Sequence, residues 1–168
     1  PMARSTADVA AILTAIAGGD LNDPTARLDT VPDYLTAARQ GVRGLRIGVD
    51  PSWNSGDVDE TTQIILSDAI EAFRGLGAKL VDMRFPDVTQ AIADWVPNCA
   101  VEAAVAHEVT YPARRAEYGP VLASVLEAGR ALSGVDYQKI MLRRLDLRVR
   151  VAAMFSKIDV LLIPVHPF

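Results

Sequence analysis

The chain has 168 residues, half of them hydrophobic and 23% charged, with a formal net charge of −4. That length and apolar content suit one compact core and exclude a disordered polymer, while the acidic balance gives no electrostatic reason to expect nucleic acid or an anionic membrane as partner. Cys99 is the single cysteine, which excludes an internal disulfide and a thiolate metal cluster.

Ser5-Thr6-Ala7-Asp8 has capping-box spacing, and Val9, Ile12, Leu13 and Ile16 follow at helical period. Gly18-Gly19 ends that helix. A polar loop from Asp20 to Pro32 turns at Asn22-Asp23-Pro24, and a short helix runs from Asp33 to about Gln40. Leu45–Val49 reads as a strand. A polar turn then leads to a helix from about Asp59 to Leu76, with Leu66, Ala69, Ile70 and Phe73 on its buried face and Gly77 as its cap. Lys79–Met83 is the next strand, so the segment is a βαβ unit with parallel strands and a right-handed crossover.

Phe85-Pro86-Asp87 starts a helical region whose clearest segment is Asn98 to about Val109, and another helix spans Pro120 to Leu132. Ser133-Gly134-Val135-Asp136 repeats the capping-box spacing and opens the longest helix, to about Ile158. Ile140, Leu147, Val151, Met154 and Ile158 form its apolar stripe, and the arginines from Arg143 to Arg150 its solvated side. Asp159–Ile163 is an apolar strand of the kind covered on both faces, ended by Pro164 and Pro167.

The fold class is α/β, helix-rich, with helices on a mixed or parallel sheet. No repeat, low-complexity tract or domain boundary interrupts the chain. No apolar run approaches the roughly 20 residues of a membrane span, and no basic segment followed by an apolar one opens the chain as a secretion signal. A reducing, cytoplasmic setting is the expectation. Pro1 is not an initiator and a helix follows almost at once, which reads as the interior of a longer polypeptide.

Candidate chemistry is sparse. A serine hydrolase needs a nucleophile on a tight glycine-flanked turn, and no Gly-x-Ser-x-Gly occurs. Ser52 and Ser55, just after a strand, imitate one best, but turn chemistry accounts for them as well. Cys99 and His107 on one helix would stand roughly 12 Å apart along its axis, too far for a thiol–imidazole pair; Cys99 reads as a small core residue. His166 follows a strand end, where ligands gather in α/β sheets. His107 and His166 lack metal-ligand spacing. Glu102 and His107 are polar exceptions on an apolar helix, so they are partnered structurally or face a cleft. No glycine loop follows either strand of the βαβ unit, and Pro51 has no N–H to offer a phosphate.

The order of short motifs is more informative. Pro1-Met2-Ala3-Arg4-Ser5-Thr6-Ala7-Asp8, Ile16-Ala17-Gly18-Gly19-Asp20 and Asn22-Asp23-Pro24-Thr25 closely resemble successive segments of amidase signature enzymes. So do Gly44–Val49, Glu102-Ala103-Ala104 with His107, Tyr118-Gly119-Pro120, Leu126–Gly129, Ser133 with Asp136-Tyr137, and Asp159–Pro164. Together they span nearly the whole chain in the family's order.

That resemblance implies a portion of a large α/β/α domain with a mixed central sheet, so residues 1–168 are expected to be a single incomplete domain. It also implies a Ser–Ser–Lys triad in which a serine attacks an amide carbonyl, a second serine relays protons, and a lysine is the base. Backbone amides stabilise the developing oxyanion. In the family these groups precede the Pro-Met-Ala-Arg segment, so this chain is expected to hold no catalytic residue. Lys79, Lys139 and Lys157 match none, and the chain alone is expected to be inactive.

The later half of the family's domain supplies sheet strands, covering helices and pocket walls; His107 and Tyr111 are the expected substrate-binding residues. The glutamine amidotransferase branch carries an arginine pair where this chain has Ala123-Ser124-Val125, which argues against glutamine as substrate. The expected partner is a small-molecule amide, with no cofactor, metal, nucleic acid or membrane. Apolar faces left uncovered would make the isolated chain aggregate or self-associate, as a homo-oligomer. The competing reading is a non-catalytic α/β module, or a subunit that completes an amidase or amidotransferase in trans.

Overall fold

The computed structural model describes residues 1–23, 26 and 29–165. The expected roles of Pro24 and Thr25 in the early turn and motif, and of His166 and Pro167 after the last strand, lie outside the described residues.

Helix α1 (Thr6–Ile16) begins as its capping box requires: Ser5 Oγ accepts from the backbone N–H of Asp8 at 3.1 Å. Helix α2 (Tyr34–Ala38) is capped by Asp33 and packs against α1. Strand β1 (Arg46–Val49) then enters the core, with Ile47 and Val49 buried. Its Gly48 has a packing reason: a Cβ there would sit 2.5 Å from Met83 Sδ and 2.6 Å from Ile158 Cδ1.

The polar turn expected after β1 is wound into a short helix, α3 (Pro51–Ser55), which carries Ser52 and Ser55. Asp50 caps it and Pro51 occupies its first turn, a combination that starts a helix. Helix α4 (Glu60–Gly75) buries Leu66 and half-buries Ala69, Ile70 and Phe73, the face its periodicity predicts. It leads to strand β2 (Lys79–Asp82), which pairs with β1 in parallel.

Helix α5 (Thr89–Ala106) starts well before Asn98, where the sequence signal is clearest, because Pro97 lies inside the helix and does not end it. A 3₁₀ turn (Arg115–Glu117) precedes helix α6 (Pro120–Ala131), and helix α7 (Gly134–Phe155) is the longest. Strand β3 (Val160–Leu162) pairs with β1 on its other side, giving the parallel order β2-β1-β3. The expectation of a strand covered on both faces fails for β3. Among the described residues it is an edge strand, and with Val160 43% exposed its faces are not both covered.

Two contacts fix the layers. Arg46 and Asp159 lock β1 to β3: Arg46 Nη2 donates to Oδ1 at 2.7 Å and the Arg46 amide to Oδ2 at 2.8 Å, while the Asp159 amide donates to the Arg46 carbonyl at 2.8 Å. The side-chain hydrogen bonds from Arg46 lead in holding the Asp159 carboxyl down to about 2. Asp94 on α5 accepts a bidentate pair from Arg143 on α7, at 2.6 and 2.7 Å. Thus one of the arginines expected on the solvated side of α7 is a fastener between helices.

Helices α5 and α6 are in backbone contact at Gly129. A Cβ there would lie 2.0 Å from the Ala100 carbonyl oxygen, a backbone atom that cannot yield. Beside this contact Ala123 and Leu126 are wholly buried, and burying a leucine contributes about 1.5–3 kcal/mol. Elsewhere large apolar side chains face outward, among them Trp95 at 70% exposure and Val149 at 67%.

Gly129→Ala is therefore expected to destabilise the full-length protein by about 2 kcal/mol, as overpacking does, despite the better helix propensity of alanine. Denaturant midpoints measure this. Because Asp159 is depressed from 3.8 to about 2, its contribution is fully present above about pH 4 and lost as pH falls towards 2. Asp159→Asn should flatten the stability profile across that window, as followed by thermal unfolding against pH.

Candidate functional site

The turn between α5 and α6 gathers the two residues expected to bind substrate. His107 ends α5, and its backbone carbonyl accepts from the Thr110 and Tyr111 amides at 3.0 and 2.8 Å. That reversal turns the chain back so Tyr111 enters the α5–α6 interface, where it is 3% exposed against Ala123 and Leu126.

Tyr118 joins the pair. Its ring meets His107 edge-on at 5.5 Å and Tyr111 at 5.3 Å, a favoured aromatic geometry. Its hydroxyl bonds His107 Nδ1 at 3.1 Å and lies against Thr110 Oγ1. Sequence reasoning does not single Tyr118 out, since nothing in the spacing of Tyr118-Gly119-Pro120 announces that it bridges two residues of the preceding turn.

The Tyr111 hydroxyl donates to Glu127 Oε1 on α6 at 2.7 Å, and Arg115 Nε donates to the same oxygen at 2.9 Å. Burial first, and then the hydrogen bond to Glu127, push the Tyr111 phenol above its ordinary value. The Tyr111 hydrogen bond and Arg115 hold the Glu127 carboxyl below its own. The cluster thus holds a half-buried imidazole beside a buried phenol whose hydroxyl is committed to Glu127. It holds no nucleophile paired with a base.

The other sequence candidates do not join it. Ser52 donates to the buried Asp50 carboxylate at 2.7 Å, and Ser55 to the Pro51 carbonyl at 2.8 Å. Cys99 is half-buried rather than core, lining an apolar groove of about 260 Å³ between α5 and α7. Glu102 stands on the surface 3.8 Å from Arg144. Among the described residues no three of His, Cys, Asp and Glu stand together as a metal site.

Parallel strands packed with helices, and an aromatic, polar turn at one helical junction, make this an α/β domain. The chain belongs to the Amidase family, whose sequence model matches residues 1–168. It is 37% identical over 164 residues to a putative amidase, AmiD, of Mycobacterium tuberculosis, covering 98% of this chain and 34% of that protein. It is also 42% identical over 86 residues to one chain of the glutamyl-tRNA(Gln) amidotransferase of Anaeromyxobacter dehalogenans, covering 51% of this chain and 18% of that one. The solved structure of a bacterial aryl acylamidase of the amidase signature family superposes with a TM-score of 0.78 at 22% identity, over 98% of this chain and 37% of its own. The chain spans about a third of the length of the curated relatives that match it end to end.

Replacing Glu127 by Gln removes the charge that adds to burial in raising the phenol. The Tyr111 titration is expected to move down towards, without reaching, the ordinary tyrosine value. Spectrophotometric titration of tyrosine ionisation checks this, with Tyr111→Phe identifying the step.

Proposed function

We propose that residues 1–168 form one portion of a single larger domain that hydrolyses a carboxylic amide to an acid and an amine or ammonia, through an acyl-enzyme on a serine outside this chain. The observation that carries this reading is the family match across all 168 residues. In the resemblance, the Ser–Ser–Lys groups match no residue here. The environment of Lys139 agrees: it is paired with Asp136 on the surface of α7 at 3.1 Å, no place for a buried base.

The role of this chain is then to wall the pocket. His107 and Tyr111 are its substrate-binding residues, held in one cluster by Tyr118. His107 bonds Tyr118 through Nδ1, and its other ring nitrogen has no protein partner among the described residues. The substrate is a small-molecule amide and the setting cytoplasmic, with no nucleic acid or membrane as partner. Among the described residues, no helix is long and apolar enough to cross a membrane.

A general amide is favoured over glutamine. Where the amidotransferase branch carries paired arginines, Ala123 is wholly buried and Ser124 donates to the Val121 carbonyl at 2.8 Å. Neither offers a cation to hold a glutamine carboxylate. The likeness to an amidotransferase chain favours a second reading, a subunit that completes an amidase or amidotransferase in trans.

The test is the full-length protein assayed on aliphatic and aromatic amides and on glutamine. Hydrolysis of simple amides, with glutamine poor, is expected; strict glutamine dependence would favour the second reading. His107→Ala and Tyr111→Phe should each raise KM or shift preference among amides, by roughly tenfold for one lost hydrogen bond. Unchanged KM and preference in both would remove these residues from the pocket.

A further inference from the structure

The Tyr118 hydroxyl stands between two residues of the preceding turn, with His107 Nδ1 at 3.1 Å on one side and Thr110 Oγ1 on the other. Thr110 Oγ1 also lies 3.2 Å from the His107 carbonyl and donates to it. Three contacts therefore run in series from one backbone carbonyl to one imidazole nitrogen, and their protons can be counted.

A threonine or tyrosine hydroxyl has one proton to give and lone pairs with which to receive. The Thr110 proton is spent on the His107 carbonyl, so Thr110 receives from Tyr118. The Tyr118 proton is then spent on Thr110, and Tyr118 receives from Nδ1–H. In the opposite direction Tyr118 donates to Nδ1 and Thr110 donates to Tyr118, which leaves no proton for the carbonyl. Only the first direction makes all three bonds. A neutral imidazole carries one N–H, and the bond at one nitrogen decides the state of the other. With the proton on Nδ1, Nε2 is an acceptor.

We propose that Thr110 and Tyr118 are positioning residues that hold neutral His107 in its Nδ1–H form, so that Nε2 accepts from an N–H of the substrate amide. The edge-on contact with the Tyr118 ring fixes the plane of the imidazole but not its proton. The role rests on the reading that His107 walls the pocket, and it gives that pocket a substrate class. Primary and N-monosubstituted amides bring the donor, and N,N-disubstituted amides do not.

Nitrogen-15 NMR of the histidine side chains in the full-length protein reads the tautomer, at about pH 8.5, above the ordinary histidine range. His107→Gln identifies the resonances. The Nδ1–H form is expected in the unsubstituted protein and in Thr110→Ser. In Thr110→Val, Tyr118 loses its acceptor and turns its proton to Nδ1, so His107 should pass to the Nε2–H form. Kinetics with benzamide, and with N,N-dimethylbenzamide as competing ligand, read the consequence. The preference for benzamide should fall roughly tenfold in Thr110→Val, the change of one hydrogen bond, and return in Thr110→Ser. An Nε2–H form in the unsubstituted protein, or a tautomer unmoved by Thr110→Val, would overturn the proton assignment. His107→Ala separates the two readings: a preference unchanged there overturns the place of His107 in the pocket. A preference lost there, yet kept in Thr110→Val after the tautomer has switched, overturns the contact at Nε2.

Discussion

The close approach of α5 and α6 at Gly129 is the constraint on which the rest of the site depends. With no side chain there, the backbone of α6 rests on the Ala100 carbonyl, and any Cβ would push the helices apart. That separation fixes where Tyr111, Ala123 and Leu126 meet. Tyr111 reaches Glu127 across the same interface, so the phenol's position is a consequence of helix spacing. His107 and Tyr118 hang from that arrangement through one hydroxyl and two edge-on rings.

Charge does the complementary work of tying the helical layer to itself and strand to strand. The Asp94–Arg143 fork joins α5 to α7, and Arg46–Asp159 joins β1 to β3 at the start of both strands. Asp50 is almost wholly buried, yet its carboxyl stays low. Burial opposes ionisation most strongly, but Ser52 and the amides of Phe85, Trp53 and Ser52 together outweigh it. One carboxylate thereby caps α3 and ties down the chain leaving β2.

Much of this is legible in the sequence where the signal is local. Ser5 and Ser133 cap as their spacing says, the face of α4 follows its period, and the βαβ unit is parallel. The misses share a cause, the dependence of the answer on a distant partner. Pro97 lies inside α5, a helix tied to α7 through Asp94, and Arg143 is a fastener because Asp94 stands opposite, 49 positions earlier in the chain. β3 reads as a buried strand from its apolar run, but its neighbours decide its cover. In the site, resemblance points to His107 and Tyr111; Tyr118 and Glu127 fall within its motifs, but their contacts, and that of Arg115, emerge only from the fold.

On the proposed function, the α5–α6 junction presents the 107–118 turn to the substrate of a larger amide-hydrolysing domain. Amide hydrogen exchange on the full-length protein, with and without a slowly turned-over amide, tests it most directly. Exchange across 107–118 should slow when the amide is bound, with α1 and α2 unchanged. Exchange in that turn indifferent to a bound, turning-over amide would contradict it.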